Sequence, residues 1–328
     1  MTSAPLQSDD QEGYKRRAFI DSRASFFQRL QWRLEAFAWD HIYWNRFSAM
    51  PVEKASNKGA ALFRWLGPKI GKSAHRTATR NLKMVFPDWN NEQIEDTVLK
   101  SWENFGRIAG EMPHFADMTA TGDDPRVIIH GADMMNRYRE NKTSIVLFSG
   151  HLANWEIMTS AIVSLLPDAL MTYRSVNNPH IDKRIAAMRL STGATGLAAK
   201  KSGTRDLMRA MVQGRAIGLM NDQKLREGIS VPFFGHDAMT ADGPTRIAIR
   251  YKAPLVPVST VRTGPARYEV TFHPPLPIDY NGPTEDVVFK TVKDINGFLE
   301  ARIREHPEQW FWQHNRWPKE AWRDAGVI

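Results

Sequence analysis

The chain contains no cysteine among its 328 residues. That excludes a disulfide framework, a thiolate nucleophile and any Cys-based zinc site. Long apolar runs are missing too. The longest stretch free of Asp, Glu, Lys and Arg is residues 143–155, against the roughly 20 residues a membrane-spanning helix needs. No secretory signal is legible, because the first apolar region, after Lys15-Arg16-Arg17, is broken by Asp21, Arg23, Arg29, Arg33, Glu35 and Asp40. Walker and dinucleotide glycine fingerprints are absent, which argues against nucleotide chemistry. Ser149 precedes Gly150 without the Gly-x-Ser-x-Gly elbow of a serine nucleophile. No His-x-x-x-His pair or acidic cluster stands near His151, so neither a metal site nor a cofactor is expected.

What remains is an ordinary globular composition, 42% hydrophobic and 24% charged, with a formal charge of +8. The charge favours acidic partners: nucleic acid, an anionic bilayer surface or an acidic carrier protein. No nucleic-acid recognition motif supports the first. Three regions follow from the patterning: a polar tail at 1–23, a helical, membrane-facing region at 24–118, and an α/β domain at 119–328. In residues 24–50, Phe27, Leu30, Leu34, Phe37 and Ala38 recur at helical spacing, with Arg29, Arg33 and Arg46 nearby. Trp32, Trp39 and Trp44 add the residue type that favours bilayer interfaces. The combination predicts a helix lying in the headgroup layer. A helical segment at 55–67 and a basic patch of Lys69, Lys72, His75, Arg76, Arg80 and Lys83 come next. Residues 91–112 read as a helix capped by Asn90.

Beyond Asp124 the period changes. Residues 127–130, 144–148, 169–173, 216–220, 255–261 and 268–273 read as strands. They alternate with helices at 153–166, 181–190, 203–213, 244–251 and 287–306. Alternation of this kind predicts an α/β fold with a mainly parallel central sheet flanked by helices.

Chemistry in such sheets gathers beyond the carboxyl ends of strands. The strand at 144–148 runs through Ser149-Gly150 into His151, then Asn154, Trp155 and Glu156. On a continuous helix, residues five apart point about 140° apart. With His151 on the turn before the helix, its ring can fold back onto the first turn. Glu156 would then accept one ring proton and leave the other nitrogen free as a general base. Asp222 follows the strand at 216–220 and reaches the same sheet edge, to hold either Arg189 or an acceptor hydroxyl. Arg174 and Arg189 carry guanidinium forks suited to phosphate or carboxylate oxygens. The run Val231-Pro-Phe-Phe-Gly235 reads as an apolar loop. Phe233 and Phe234 there either line an acyl channel, dip into lipid or pack on the sheet.

These residues also carry a family resemblance. Gly150-His-Leu-Ala-Asn-Trp-Glu156 resembles the first signature of the lipid A late acyltransferases of Gram-negative bacteria, the lauroyl and myristoyl transferases. They belong to a wider His-x4-Asp/Glu glycerolipid acyltransferase superfamily. Tyr173-Arg174 with Asn177-Asn178-Pro179 is similar to the second block, and Arg189 to its downstream arginine. Asn221-Asp222-Gln223, Val231-Pro-Phe-Phe-Gly235, Thr240 and Gly243-Pro244 resemble the third. Leu255-Val-Pro257 resembles the next strand. Trp310-Phe-Trp-Gln-His-Asn-Arg316 resembles the terminal block, with Asn315 in place of one arginine. The charged, Trp-rich N-terminal region departs from the hydrophobic anchor helix common in that family.

The resemblance implies O-acyl transfer from acyl carrier protein to a hydroxyl of an anionic lipid A precursor. His151 would act as base and Glu156 as its orienter. Backbone N–H groups at the helix start or a nearby Arg would stabilise the oxyanion. Asn154, Arg174, Arg189, Asp222, Gln223, Phe233, Phe234 and Arg316 would bind substrate. It also implies peripheral attachment to the cytoplasmic face of the bacterial inner membrane. The alternatives are a different phospholipid or glycolipid acceptor, and a non-catalytic lipid-surface binder.

Overall fold

The computed structural model describes residues 24–118, 120, 125–173, 176–193, 196–199 and 203–328. The polar tail, Arg174, Lys200 and Lys201 therefore lie outside the described residues. Helices α1 to α4 come first: Phe26–Ala38, Val52–Ile70, Lys72–Val85 and Asn91–Glu111. A π-helical turn, Trp39–Trp44, and a short helical turn, Asn45–Ser48, continue α1. Then follow β1 (Val127–His130), α5 (Ala132–Glu140), β2 (Ile145–Ser149), α6 (Trp155–Leu165), β3 (Leu170–Tyr173), α7 (Pro179–Ser191), β4 (Gly196–Ala199), α8 (Gly203–Val212) and β5 (Ala216–Met220). The chain finishes with β6 (Ile229–Phe233), β7 (His236–Thr240), α9 (Gly243–Tyr251), β8 (Leu255–Gly264), β9 (Arg267–Phe272), α10 (Thr284–Glu305) and α11 (Lys319–Asp324).

Seven strands form one sheet in the order β1-β9-β8-β2-β5-β3-β4. Within it β8 and β9 run antiparallel, and the other neighbours are parallel. The mainly parallel sheet expected from the alternating pattern is thus present. Strand β2 is buried along its whole length, because both faces of the sheet are covered. Val146 and Phe148 join one core cluster, with α3, α4, α8, α10 and the C-terminal tryptophans. Ile145 and Leu147 join the other, beneath α6. Strands buried on both faces read as continuous apolar runs, which is why β2 is plain in the sequence.

Two elements differ from the reading above. Ile229–Phe233 and His236–Thr240 form an antiparallel hairpin, where a loop was expected. Proline within a strand normally demotes it to an edge, and Pro232 sits inside β6. The basic patch forms α3, whose apolar side is buried through Ala78, Leu82, Met84 and Val85. Asn90 caps α4 as expected, with Gln93 completing a reciprocal capping box.

In α1 the exposed side carries Phe26, Phe27, Leu30, Leu34 and Phe37, at 68, 80, 45, 62 and 60% exposure. The stripe found by periodicity therefore faces solvent. The tryptophans do not. Trp32 is buried, and Trp39 packs against Tyr43 and Trp44. The exposed apolar residues are thus Phe and Leu, because the indoles pack the helix onto the body. Asn178 donates to Trp32 O (3.0 Å) and Glu35 Oε2 (2.8 Å), and Arg184 pairs with Asp40. No helix among the described residues is long and apolar enough to cross a membrane.

Helices α2 and α4 cross with backbones in contact. A Cβ on Gly106 would lie 2.2 Å from Gly59 O, and one on Gly110 2.3 Å from Ala55 O. Alanine normally improves a helix by up to about 1 kcal/mol over glycine. Here the clash is with backbone, which cannot swing aside. Gly106→Ala is expected to cost about 1–3 kcal/mol, read as a lower urea midpoint with an unchanged slope.

Candidate active site

Strands β2 and β5 are parallel neighbours in which Ser149 pairs with Met220. They leave the sheet in step, and Asn221 N–H still donates to Ser149 O at 2.8 Å. The second residue beyond each strand is therefore held opposite the other: His151 faces Asp222. The ring nitrogen Nδ1 lies 2.7 Å from Asp222 Oδ1. The His151 backbone N–H donates to Asp222 Oδ2, also at 2.7 Å. Trp310 Nε1–H donates to the same oxygen at 2.7 Å. A Cβ on Gly150 would press on this carboxylate at 3.2 Å, so the glycine makes room for it.

Asp222 is 1% exposed. Burial alone raises a carboxyl pKa. The His151 charge, the two His151 hydrogen bonds and the Trp310 hydrogen bond outweigh it and bring Asp222 down to about 2. The buried Arg316 guanidinium, itself lowered to about 10 by burial and partly restored by the Asp222 charge, adds positive potential. An ionised carboxylate can only accept, so Nδ1 carries its proton and Nε2 keeps its lone pair. Gln223 Nε2 lies 3.3 Å from that nitrogen. The Trp155 indole meets the imidazole edge to face at 5.1 Å, and one side remains open to solvent.

Glu156 was expected to orient His151. The structure gives it a different partner. Arg189 donates to both carboxylate oxygens, Nε to Oε2 at 2.8 Å and Nη2 to Oε1 at 2.5 Å. The cause lies in the loop. Leu152 N–H turns back to Gly150 O, and Ala153 adopts a left-handed backbone with φ +47°. Helix α6 begins only at Trp155, with Asn154 Oδ1 accepting from Glu156 N–H. Glu156 therefore lies in the first turn and points to α7, while His151 turns toward β5. Burial works against charge on Arg189, but the Glu156 hydrogen bonds and charge raise its pKa overall.

Four further residues of the expected site are buried. Asn154 is fully buried, with its amide shared between Glu111 (3.1 Å) and the Tyr268 hydroxyl (3.2 Å). It builds the loop. Arg316 is also fully buried, bound to Met239 O and Thr240 Oγ1 and lying over the Phe233 ring. Phe233 and Phe234 are buried among Trp310, Trp317 and Phe86, since the hairpin folds them inward. Arg174 lies outside the described residues.

Sequence reasoning missed the support beneath the loop. Glu111, fully buried at the end of α4, accepts from Ser56, Asn154, Arg262, Tyr268 and the Ala266 N–H. Asn104, two turns earlier, donates to Ala153 O at 3.0 Å and accepts from Arg262 Nε at 3.1 Å. Gln309 O receives the Ala153 N–H at 2.8 Å. The left-handed residue is thus held from both its N–H and its C=O. The available signal was a glutamate and an asparagine on the otherwise apolar face of α4. No cluster of three or more His, Asp or Glu suited to a metal occurs among the described residues.

A histidine paired with a buried carboxylate at the carboxyl edge of a parallel sheet is an arrangement with the chemistry a general base requires. The chain belongs to the bacterial lipid A biosynthesis acyltransferase family, whose model matches residues 30–319. It is 24% identical to the lipid A biosynthesis palmitoleoyltransferase of Escherichia coli K12, over 77% of this chain and 83% of that protein. The lauroyltransferase of the same organism is 25% identical, covering 76% and 83%. Its myristoyltransferase is 23% identical, covering 77% of each.

The depressed Asp222 pKa sets an acid limit. The stabilisation is complete above about pH 4 and is lost as pH falls through about 2, because protonation then becomes coupled to unfolding. Asp222 should contribute about 2 kcal/mol to wild-type stability that disappears between pH 4 and 2. In Asp222→Asn the denaturation-versus-pH curve should lose that increment and keep the shallower slope set by the other carboxylates, such as Asp40 and Glu53. Removing one member of a buried ion pair costs about 3–5 kcal/mol, so Arg189→Met should destabilise by that order. The double variant Glu156→Gln/Arg189→Met should recover most of it in the same urea titration.

Proposed function

We propose that the protein transfers an acyl chain from acyl carrier protein to a hydroxyl of a lipid A precursor at the cytoplasmic face of the inner membrane. The observation that carries the reading is the His151–Asp222 pair, whose imidazole remains 18% exposed. Asp222 holds the imidazole in the tautomer that leaves Nε2 basic and stabilises the imidazolium formed when a hydroxyl is deprotonated. The hydroxyl oxygen attacks the thioester carbon, and the thiolate leaves with the proton from Nε2. No covalent acyl-enzyme is required. Arg189, locked by Glu156 and lying 5.8 Å from the Tyr173 ring, supplies a fixed cation beside the site for an anionic substrate.

Family membership supports acyl transfer in lipid A biosynthesis, and the relatives' names support a fatty acyl group. Attachment is interfacial, through the exposed Phe and Leu face of α1 with Arg29 and Arg33. This follows the rule that a large exposed apolar patch marks a contact surface.

The test is complementation of a deletion strain. Wild-type protein should restore one secondary acyl chain in lipid A by mass spectrometry. His151→Ala should not, although its circular dichroism matches wild type; restoration by His151→Ala would refute the base assignment. Purified protein should sediment with vesicles containing anionic phospholipid. The Phe27→Asp/Leu34→Asp variant should stay in the supernatant while retaining its melting temperature.

A further inference from the structure

Acyl transfer needs a donor for the oxyanion that forms when the thioester carbonyl is attacked. The obvious N–H groups around His151 are already committed. That of His151 donates to Asp222 Oδ2 at 2.7 Å, that of Leu152 to Gly150 O at 2.8 Å, and that of Ala153 to Gln309 O at 2.8 Å. The Glu156 N–H is bound by the Asn154 cap at 3.2 Å. Arg189 has both Nε and Nη2 on Glu156, and Arg316 is sealed in the core. The N–H groups of His151, Leu152, Ala153 and Glu156 and two of the Arg189 nitrogens are therefore employed in building the loop.

Gln223 is differently placed. Its backbone follows the buried residues Asn221 and Asp222, but its own side chain is half-buried. Since Nδ1–H of His151 points to Asp222, the neighbour 3.3 Å from Nε2 must present an N–H to the lone pair. That lone pair is the one an acceptor hydroxyl needs. When the hydroxyl binds, it takes over Nε2, and the Gln223 N–H loses its acceptor at the moment the reaction creates a new one.

We propose that Gln223 is a catalytic residue: its amide occupies the base at rest and donates to the thioester oxyanion during transfer. This rests on the reading of His151 as the base. The acceptor O–H bond breaks and its proton goes to Nε2. The oxygen bonds to the thioester carbon as the carbonyl π pair moves onto its oxygen, where the Gln223 N–H meets it. Collapse re-forms the carbonyl and expels the thiolate, which takes the proton from Nε2. The groups lie within one residue's reach of each other, so rotation about the Gln223 side-chain torsions suffices.

The experiment compares the purified full chain with Gln223→Ala, Gln223→Glu and His151→Ala. Acyl carrier protein loaded with a lauroyl thioester is the donor and a lipid A precursor the acceptor. Loss of one oxyanion donor typically costs about 10²–10³ in kcat. Gln223→Ala should fall by that factor, with KM for both substrates within about threefold of wild type. Gln223→Glu should be slower still, because a carboxylate repels the oxyanion. A donor on Nε2 favours the neutral ring, so its removal should move the acid limb of kcat/KM to higher pH. A purely structural role would leave that limb in place. Wild-type kcat in Gln223→Ala, or a loss confined to KM, would overturn the assignment. If His151→Ala is inactive in that case, the base assignment survives and only the role of Gln223 fails. An active His151→Ala would remove the base on which both depend.

Discussion

The Asp222 carboxylate is the point to which the site is tied. It accepts from the His151 ring, the His151 backbone and the Trp310 indole. These donors come from the β2–α6 loop and the segment after α10, and Asp222 itself follows β5. A buried charge with that many donors is satisfied only if all three segments are in place. The same carboxylate sets the histidine tautomer and fixes where the C-terminal segment crosses the sheet edge. Its burial also explains the run of tryptophans. Trp312 and Trp317 pack edge to face against Trp310, whose indole N–H bonds the carboxylate.

The N-terminal helices are part of this construction. Glu111 and Asn104 on α4 reach Arg262 and Tyr268 of the sheet and the Asn154 and Ala153 groups of the loop. A left-handed alanine is strained, and the strain persists because its N–H and C=O are both held. The close glycine contacts between α2 and α4 fix the helix that supplies those groups. The N-terminal helices thus carry both the exposed apolar face of α1 and the groups that support the loop of the site.

The sequence made the alternating elements legible, and with them the sheet and the position of His151 at a strand end. The motif order made the family legible as a resemblance. The partner of His151 was not legible, because it depends on β2 lying beside β5, a pairing between strands 71 residues apart. In hindsight both residues stand two places beyond a strand, at Ser149 and Met220, but only strand order makes that offset meaningful. Glu156 looked closer because it is closer in sequence. The left-handed turn at Ala153 separates them, and an alanine gives no sign of such a turn. The hairpin was hidden by Pro232. Phe233 and Phe234, for which the sequence left packing and ligand contact both open, and Arg316 are buried, because motif matching says nothing about which side of a strand faces inward.

Asn178 gives α7 the mechanics of a lever. One side chain caps α7 through Oδ1 and grips α1 through Nδ2, while Arg189 sits near the far end of the same 13-residue helix. At about 1.5 Å per residue the arm from Asn178 to Arg189 is about 16 Å long. A tilt of about 3.5° at the gripped end would shift the guanidinium by about 1 Å. A displacement of α1 would therefore reach the Glu156–Arg189 pair through α7, scaled by the length of that arm.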